Sequence, residues 1–235
     1  MGIPILLNED LNQYGINEYC VWEPETAPHA IISGPTDSGK TYFAKLFLAK
    51  IALYEKNPEI YICDFKGFDF SRFHDCKYFF RYNDCMDGLN QFYNHFIARL
   101  QGEDDSRNML VLYFDEWASY LNHLEKKTAE EEKKKLSNML MMSRAYRINI
   151  ICSQQRSDAQ YFSTARDNFS LIISLGNISN ESKEMLFRDY KNEIKPDRKQ
   201  GTGYLLTNGA NLQKVIVPKI SDTDKLHDTI KKAVN

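Results

Sequence analysis

Five short apolar runs recur along the chain: 29–33 (His-Ala-Ile-Ile-Ser), 59–64 (Glu-Ile-Tyr-Ile-Cys-Asp), 109–114 (Met-Leu-Val-Leu-Tyr-Phe), 148–153 (Ile-Asn-Ile-Ile-Cys-Ser) and 170–175 (Ser-Leu-Ile-Ile-Ser-Leu). They are nearly continuous rather than alternating, the pattern of strands covered on both faces of a parallel sheet. Between them the apolar spacing changes to three and four. Residues 40–56 carry Phe43, Leu46, Phe47 and Ile51 and stop at Asn57-Pro58, and 87–100 carry Leu89, Phe92, Phe96 and Leu100. Residues 117–146 read as one long helix or two short ones, supported in solvent by the Glu130–Lys134 and Glu131–Lys135 pairs. The first 20 residues predict a hairpin turned at Gly15, inside a lead-in of 1–27. Residues 221–235 predict an amphipathic helix, inside a tail of 211–235 read as helical. Strand and helix alternate through 28–210, so the expectation is a single α/β domain.

Composition narrows this little. With 235 residues, 43% apolar and 26% charged, the chain is globular. Thirty Lys and Arg against 32 Asp and Glu leave a net charge of −2, which excludes a strongly basic nucleic-acid domain but not a basic patch. The five cysteines have no C-x-x-C spacing, which argues against a disulfide framework or a zinc knuckle, and the five histidines are scattered. The start, Met1-Gly2-Ile3-Pro4-Ile5-Leu6-Leu7, has neither a signal peptide's basic flank nor a myristoylation pattern, and no apolar run approaches the ~18 residues of a membrane span. The expectation is a soluble, cytoplasmic chain.

The chemistry begins at Gly34-Pro35-Thr36-Asp37-Ser38-Gly39-Lys40-Thr41, a full G-x-x-x-x-G-K-[ST] motif after a predicted strand and before a predicted helix. Loop and helix N–H groups converge there on phosphate, Lys40 bridges the β- and γ-phosphates of ATP, and Thr41 offers its hydroxyl to Mg2+. Asp37 stands where many such loops have glycine. Aspartate tolerates φ > 0 better than most residues, and its charge must point away from phosphate.

The third apolar run ends in Asp115-Glu116. Successive residues at a strand end diverge, so Asp115 can hold Mg2+ while Glu116 acts as base toward the water attacking the γ-phosphate. A strand ending in an ordinary polar loop is the alternative. The fourth run ends in Ser153-Gln154-Gln155-Arg156, and Gln154 is the candidate γ-phosphate sensor, against a plain loop residue.

These segments, with Pro28-His29-Ala30-Ile31-Ile32-Ser33-Gly34, Asp64-Phe65-Lys66-Gly67, Ile97-Ala98-Arg99-Leu100, the run Arg144-Ala145-Tyr146-Arg147 into Gln154-Gln155-Arg156, and Gly201-Thr202-Gly203-Tyr204-Leu205, occur in the order of a known family. Over residues 15–210 the sequence resembles the FtsK/HerA superfamily of P-loop DNA-pumping ATPases, in particular the FtsK/SpoIIIE motor. The resemblance implies a RecA-like, three-layer α/β/α fold with a mainly parallel sheet of ASCE order, the sensor strand lying between the P-loop and acidic strands. It also implies ATP and Mg2+ as cofactors, a homo-oligomer (a hexamer), and double-stranded DNA in the central channel.

By position, Arg144 matches the arginine that ring ATPases supply to a neighbour's nucleotide, against a surface arginine at a helix end. Lys66 faces the nucleotide or the subunit junction, against a turn lysine. The candidate DNA contacts are Lys126, Lys127, Lys133, Lys134, Lys135 and, in segment 160–166, Arg166; a solvated helix face is the alternative for the lysines. Departures from the family are Asp37, Ser157 for proline and Gly176 for arginine. No membrane region or winged-helix domain is evident, so the expectation is a bare motor, or a motor that borrows its membrane anchor and DNA reader from partner proteins. The rivals are a conjugative coupling or phage-type packaging ATPase, and a nucleotide switch that binds a replication or segregation partner without pumping. A small-molecule kinase is disfavoured by Glu116.

Overall fold

The computed structural model describes residues 2–155 and 157–235. The chain opens with β1 (Ile3–Asn8), a single-turn α1 (Glu9–Asn12) and β2 (Tyr19–Trp22). The two strands pair antiparallel as the predicted hairpin, with Gly15 at φ 79° between them. The core follows as β3 (Ala30–Ser33), α2 (Lys40–Tyr54), β4 (Glu59–Asp64), β5 (Phe79–Arg81), α3 (Cys85–Gln101) and β6 (Leu110–Asp115). Next come α4 (Trp117–His123), α5 (Lys126–Met142), β7 (Ile148–Gln154), β8 (Leu171–Leu175) and α6 (Asn180–Leu186), then β9 (Thr202–Thr207), β10 (Asn211–Ile216) and α7 (Thr223–Val234).

The strands form one sheet in the order β2-β1-β10-β9-β8-β3-β7-β6-β4-β5. From β8 to β5 every pairing is parallel, and β7 lies between β3 and β6 as the resemblance implied. From β8 to β2 every pairing is antiparallel. Successive strand residues face opposite sides, and the rings show what covers each. Tyr61 meets Phe92 of α3, and Phe114 meets Trp117 and Tyr120 of α4. Tyr113, opposite Ile62 in register, meets Phe70, whose neighbour Phe73 touches His227 of α7. The architecture is therefore three-layered, with α2 and α7 packed together on one face and α3, α4 and α5 on the other.

Of the two alternatives for 117–146 the structure has two helices, broken at Leu124-Glu125 and followed by a 3-10 turn over 143–146. Two expectations change. The tail 211–235 is not helical throughout, because 211–216 is β10 and the helix starts at Thr223. β10 carries polar side chains on both faces, so its sequence lacks the apolar run that marks the core strands. The hairpin is also more than a lead-in: β1 pairs with β10 and is part of the sheet. All five cysteines are free and buried, and no described helix is long and apolar enough to cross a membrane.

Candidate active site

The P-loop leaves the end of β3 at Gly34, whose N–H donates to the Gln154 carbonyl at 3.3 Å. A Cβ at Gly34 would lie 2.2 Å from the Leu175 carbonyl oxygen, so only glycine fits between the strands. Asp37 takes φ 61° and is exposed, and Gly39 at φ 98° opens α2. The first N–H groups of α2 have no intrahelical acceptor, and their residues line the cavity below. Lys40 curls over the loop and donates to the carbonyls of Gly34 at 2.6 Å and Pro35 at 3.0 Å. Burial pulls its ammonium below the ordinary lysine range, and the charges of Glu116 and Asp115 oppose that shift.

The acidic pair stands across the loop. Asp115 ends β6, is buried, and accepts from the Tyr113 hydroxyl at 3.0 Å. Burial first, then the charges of Glu116 and Asp64, push its carboxyl up to about 7. Glu116 turns the chain straight into α4. Its N–H donates to the Ser153 carbonyl at 2.7 Å, and it takes the left-handed conformation at φ 60°. Its carboxylate accepts from the Lys66 ammonium at 2.9 Å. Burial works against the Lys66 charge, but the hydrogen bond and charge of Glu116, with Asp115 and Asp69, hold its ammonium above the usual range. The Thr41 hydroxyl donates to Asp69 at 3.4 Å.

These groups surround a cavity of about 300 Å³ lined by residues 35–42 with Lys66, Asp69, Asp115, Glu116, Gln155 and Gln200. A larger hollow of about 390 Å³ below β8 holds Arg166 but none of the phosphate-site residues. The donor set suits a magnesium nucleotide. A lysine ammonium and helix N–H groups face one side, a hydroxyl and carboxylates the other, and the buried Ser38 Oγ has no protein partner. Among the described residues no three His, Cys, Asp or Glu side chains are placed to hold a metal ion.

Lys40, Thr41, Asp115, Glu116 and Lys66 are thus brought together as the sequence suggested. Gln154 is not: its side chain is buried and donates to Ser157 Oγ at 3.0 Å, and the next residue, Gln155, reaches the cavity wall. Arg144 precedes the N-terminal end of the central strand β7, at the opposite end of the strands from its own P-loop; it is exposed and donates to the Glu25 carbonyl at 2.9 Å. Arg147 nearby pairs with Glu55, and Arg156 lies outside the described residues. Of the basic candidates, Lys126, Lys127 and Lys134 are exposed, while Lys133 pairs with Glu130, Lys135 with Glu132 and Arg166 with Asp167. α5 packs against 163–168, so the two candidate DNA segments are neighbours.

The departures from the family have physical reasons. Ser157 donates its N–H to Ser182 Oγ at 3.3 Å, a bond proline cannot make. Gly176 sits at φ 67°, where a Cβ would lie 3.0 Å from the Ser38 Cβ. The closing glycines abut the P-loop: the Gly201 N–H donates to the Ser38 carbonyl at 2.9 Å. Sequence reasoning missed Asp69, Gln155 and Gln200. For Asp69 a signal existed, an acid five residues beyond a strand that neighbours the acidic one.

No protein-family model matches the chain. The Ftsk domain-containing protein YdcQ of Bacillus subtilis (strain 168) is 25% identical over 218 residues, 84% of this chain and 45% of its own length. The chain therefore spans less than half of that relative. The solved structure of the pCW3 conjugation coupling protein TcpA, monomer form with ATPgS, superposes with a TM-score of 0.75 at 17% identity, covering 98% of this chain and 69% of that one. The cytoplasmic domain of the Thermomonospora curvata Type VII Secretion ATPase EccC gives 0.72 at 15%, covering 99% and 31%. The fold is that of the RecA-like P-loop ATPases. Within that class, the chain is similar in sequence to an FtsK domain-containing protein, in line with the resemblance that the order of its motifs carries.

Proposed function

We propose that the chain is an ATP-hydrolysing motor domain that moves duplex DNA as a ring of copies, a hexamer by analogy with the superfamily. The convergence of Lys40, Thr41, Asp115 and Glu116 on one cavity carries the reading. Lys40 and the N–H groups at the start of α2 bind the β- and γ-phosphates. Thr41 and Asp115 hold Mg2+, which when bound neutralises phosphate charge and polarises the terminal phosphoryl group. Glu116 takes the proton of the attacking water. We move the sensor role from Gln154 to Gln155, because Gln155 lines the cavity. Arg144, at the opposite end of the strands from its own P-loop, serves the nucleotide site of another copy in this reading.

The DNA assignment is supported by the order of the family motifs and by the fold shared with a conjugation coupling protein. Exposed Lys126, Lys127 and Lys134 on α5 offer phosphate contacts, multiplied by the copies in a ring. A motor of this kind works in the cytoplasm. A secretion ATPase shares the fold, so the cargo needs its own test. ATPase rate is measured with long linear duplex, single-stranded DNA and no DNA, alongside mass in solution. The expectation is several-fold stimulation by duplex and a ring-sized species in its presence. A rate indifferent to DNA would replace the DNA motor with a nucleotide switch or a motor for another cargo.

A further inference from the structure

The loop from Asp64 to Phe70 is tied at both ends. The Asp64 carboxylate is buried and accepts the N–H of Gly67 at 2.9 Å and of Phe70 at 3.0 Å. Phe65 packs its ring against Tyr82, Tyr120 and His123, and the Phe70 ring is buried against Tyr113. Lys66 stands between these anchors, so its backbone is held rather than free to swing. Its ammonium reaches one oxygen of Glu116, Oε1, at 2.9 Å. The Glu116 side chain is only 6% exposed and stands beside Asp115, so a carboxylate there needs a compensating charge.

We propose that Lys66 is a positioning residue for hydrolysis: its ammonium holds Glu116 through Oε1 and leaves Oε2 to accept the proton of the attacking water. The proposal rests on Glu116 being the base. A fixed loop carrying one charge to one carboxylate oxygen is preorganisation, whose value lies in the rate of the chemical step rather than in nucleotide binding. Lys66 thus acts through Glu116 and not on the phosphates.

The test compares Lys66→Met, Lys66→Arg, Glu116→Gln and the double variant Lys66→Met/Glu116→Gln. Readouts are kcat and KM for ATP, single-turnover rates for the slow variants, and the Kd of ATPγS. Lys66→Met should lower kcat at least about tenfold while KM and the ATPγS Kd stay within about twofold. Lys66→Arg should recover most of the rate, and in the Glu116→Gln background Lys66→Met should cost nothing more. An unchanged or raised kcat in Lys66→Met overturns the proposal. So does a parallel loss of ATPγS affinity, which would make Lys66 a phosphate ligand, or an equal loss of rate in both backgrounds. Wild-type hydrolysis by Glu116→Gln alone would instead sink the assignment of the base, and is read separately.

Discussion

Asp115 shows what the site costs its fold. Its carboxyl rises from 3.8 to about 7, so the folded protein holds this proton more tightly than the unfolded chain does. The stability that comes with the proton is complete below the unfolded value and is lost as the pH rises through the folded one. Asp115→Asn removes the titration yet can still accept from Tyr113. It should raise stability at about pH 8 by on the order of 1–3 kcal/mol and much less at about pH 5, as read by urea unfolding without nucleotide. Asp37 gives a second residue-scale prediction. At φ 61° and exposed, it tolerates replacement by glycine: Asp37→Gly relieves left-handed strain but adds chain entropy to the unfolded state. Stability should stay within about 1 kcal/mol and ATP affinity should hold or rise, because a negative charge leaves the phosphate loop. A marked loss of ATP affinity, measured by calorimetry, would mean the carboxylate contacts the nucleotide machinery. The positive φ at Asp37 was legible because the motif itself implies it. The choice of Gln155 over Gln154 was not: both are polar and adjacent, and only the packing that turns Gln154 onto Ser157 separates them.

Strands and helices are held by close backbone approaches as much as by apolar burial. β9 lies against β8 with Gly203 opposite Leu175, and a Cβ at Gly203 would fall 1.8 Å from the Ser174 carbonyl oxygen. Gly203→Ala must push the two strands apart. It should cost at least about 1–3 kcal/mol in denaturant unfolding and weaken nucleotide binding as well, because the residues after β8 and before β9 touch the P-loop at Ser38. Full nucleotide affinity in a destabilised Gly203→Ala protein would separate this sheet junction from the site. The parallel strands β3, β4, β6, β7 and β8 were readable because burial on both faces demands unbroken apolar runs. β5 spans three residues, and β10 is mostly exposed or half-buried, so neither leaves such a trace. The pairing of β1 with β10 joins opposite ends of the chain and has no local signal at all. The P-loop and acidic pair were readable since their chemistry fixes residue type and spacing together. Asp69 and Gln200 enter from loops whose course is set by tertiary packing.

At the scale of the whole molecule, the nucleotide cavity lies at the C-terminal ends of the parallel strands and Arg144 at their N-terminal ends. An arginine placed there acts on the nucleotide of a neighbouring copy if it acts in hydrolysis at all. Lys40→Ala and Arg144→Ala should each lack ATPase activity, and a mixture of the two should recover part of it at junctions that pair an intact P-loop with an intact arginine. An arginine finger supplied in trans is worth on the order of 10³-fold or more in rate, so the recovery should be well above background. A co-assembled mixture that stays inactive would remove Arg144 from this role. Hydrolysis at the Lys40–Glu116 cavity underlies every role proposed for this chain, and the state of bound nucleotide tests it most directly. After incubation with labelled ATP and Mg2+, Glu116→Gln should carry intact ATP while Lys40→Ala carries almost none. Conversion of ATP to ADP and phosphate by Glu116→Gln at the wild-type rate would contradict it.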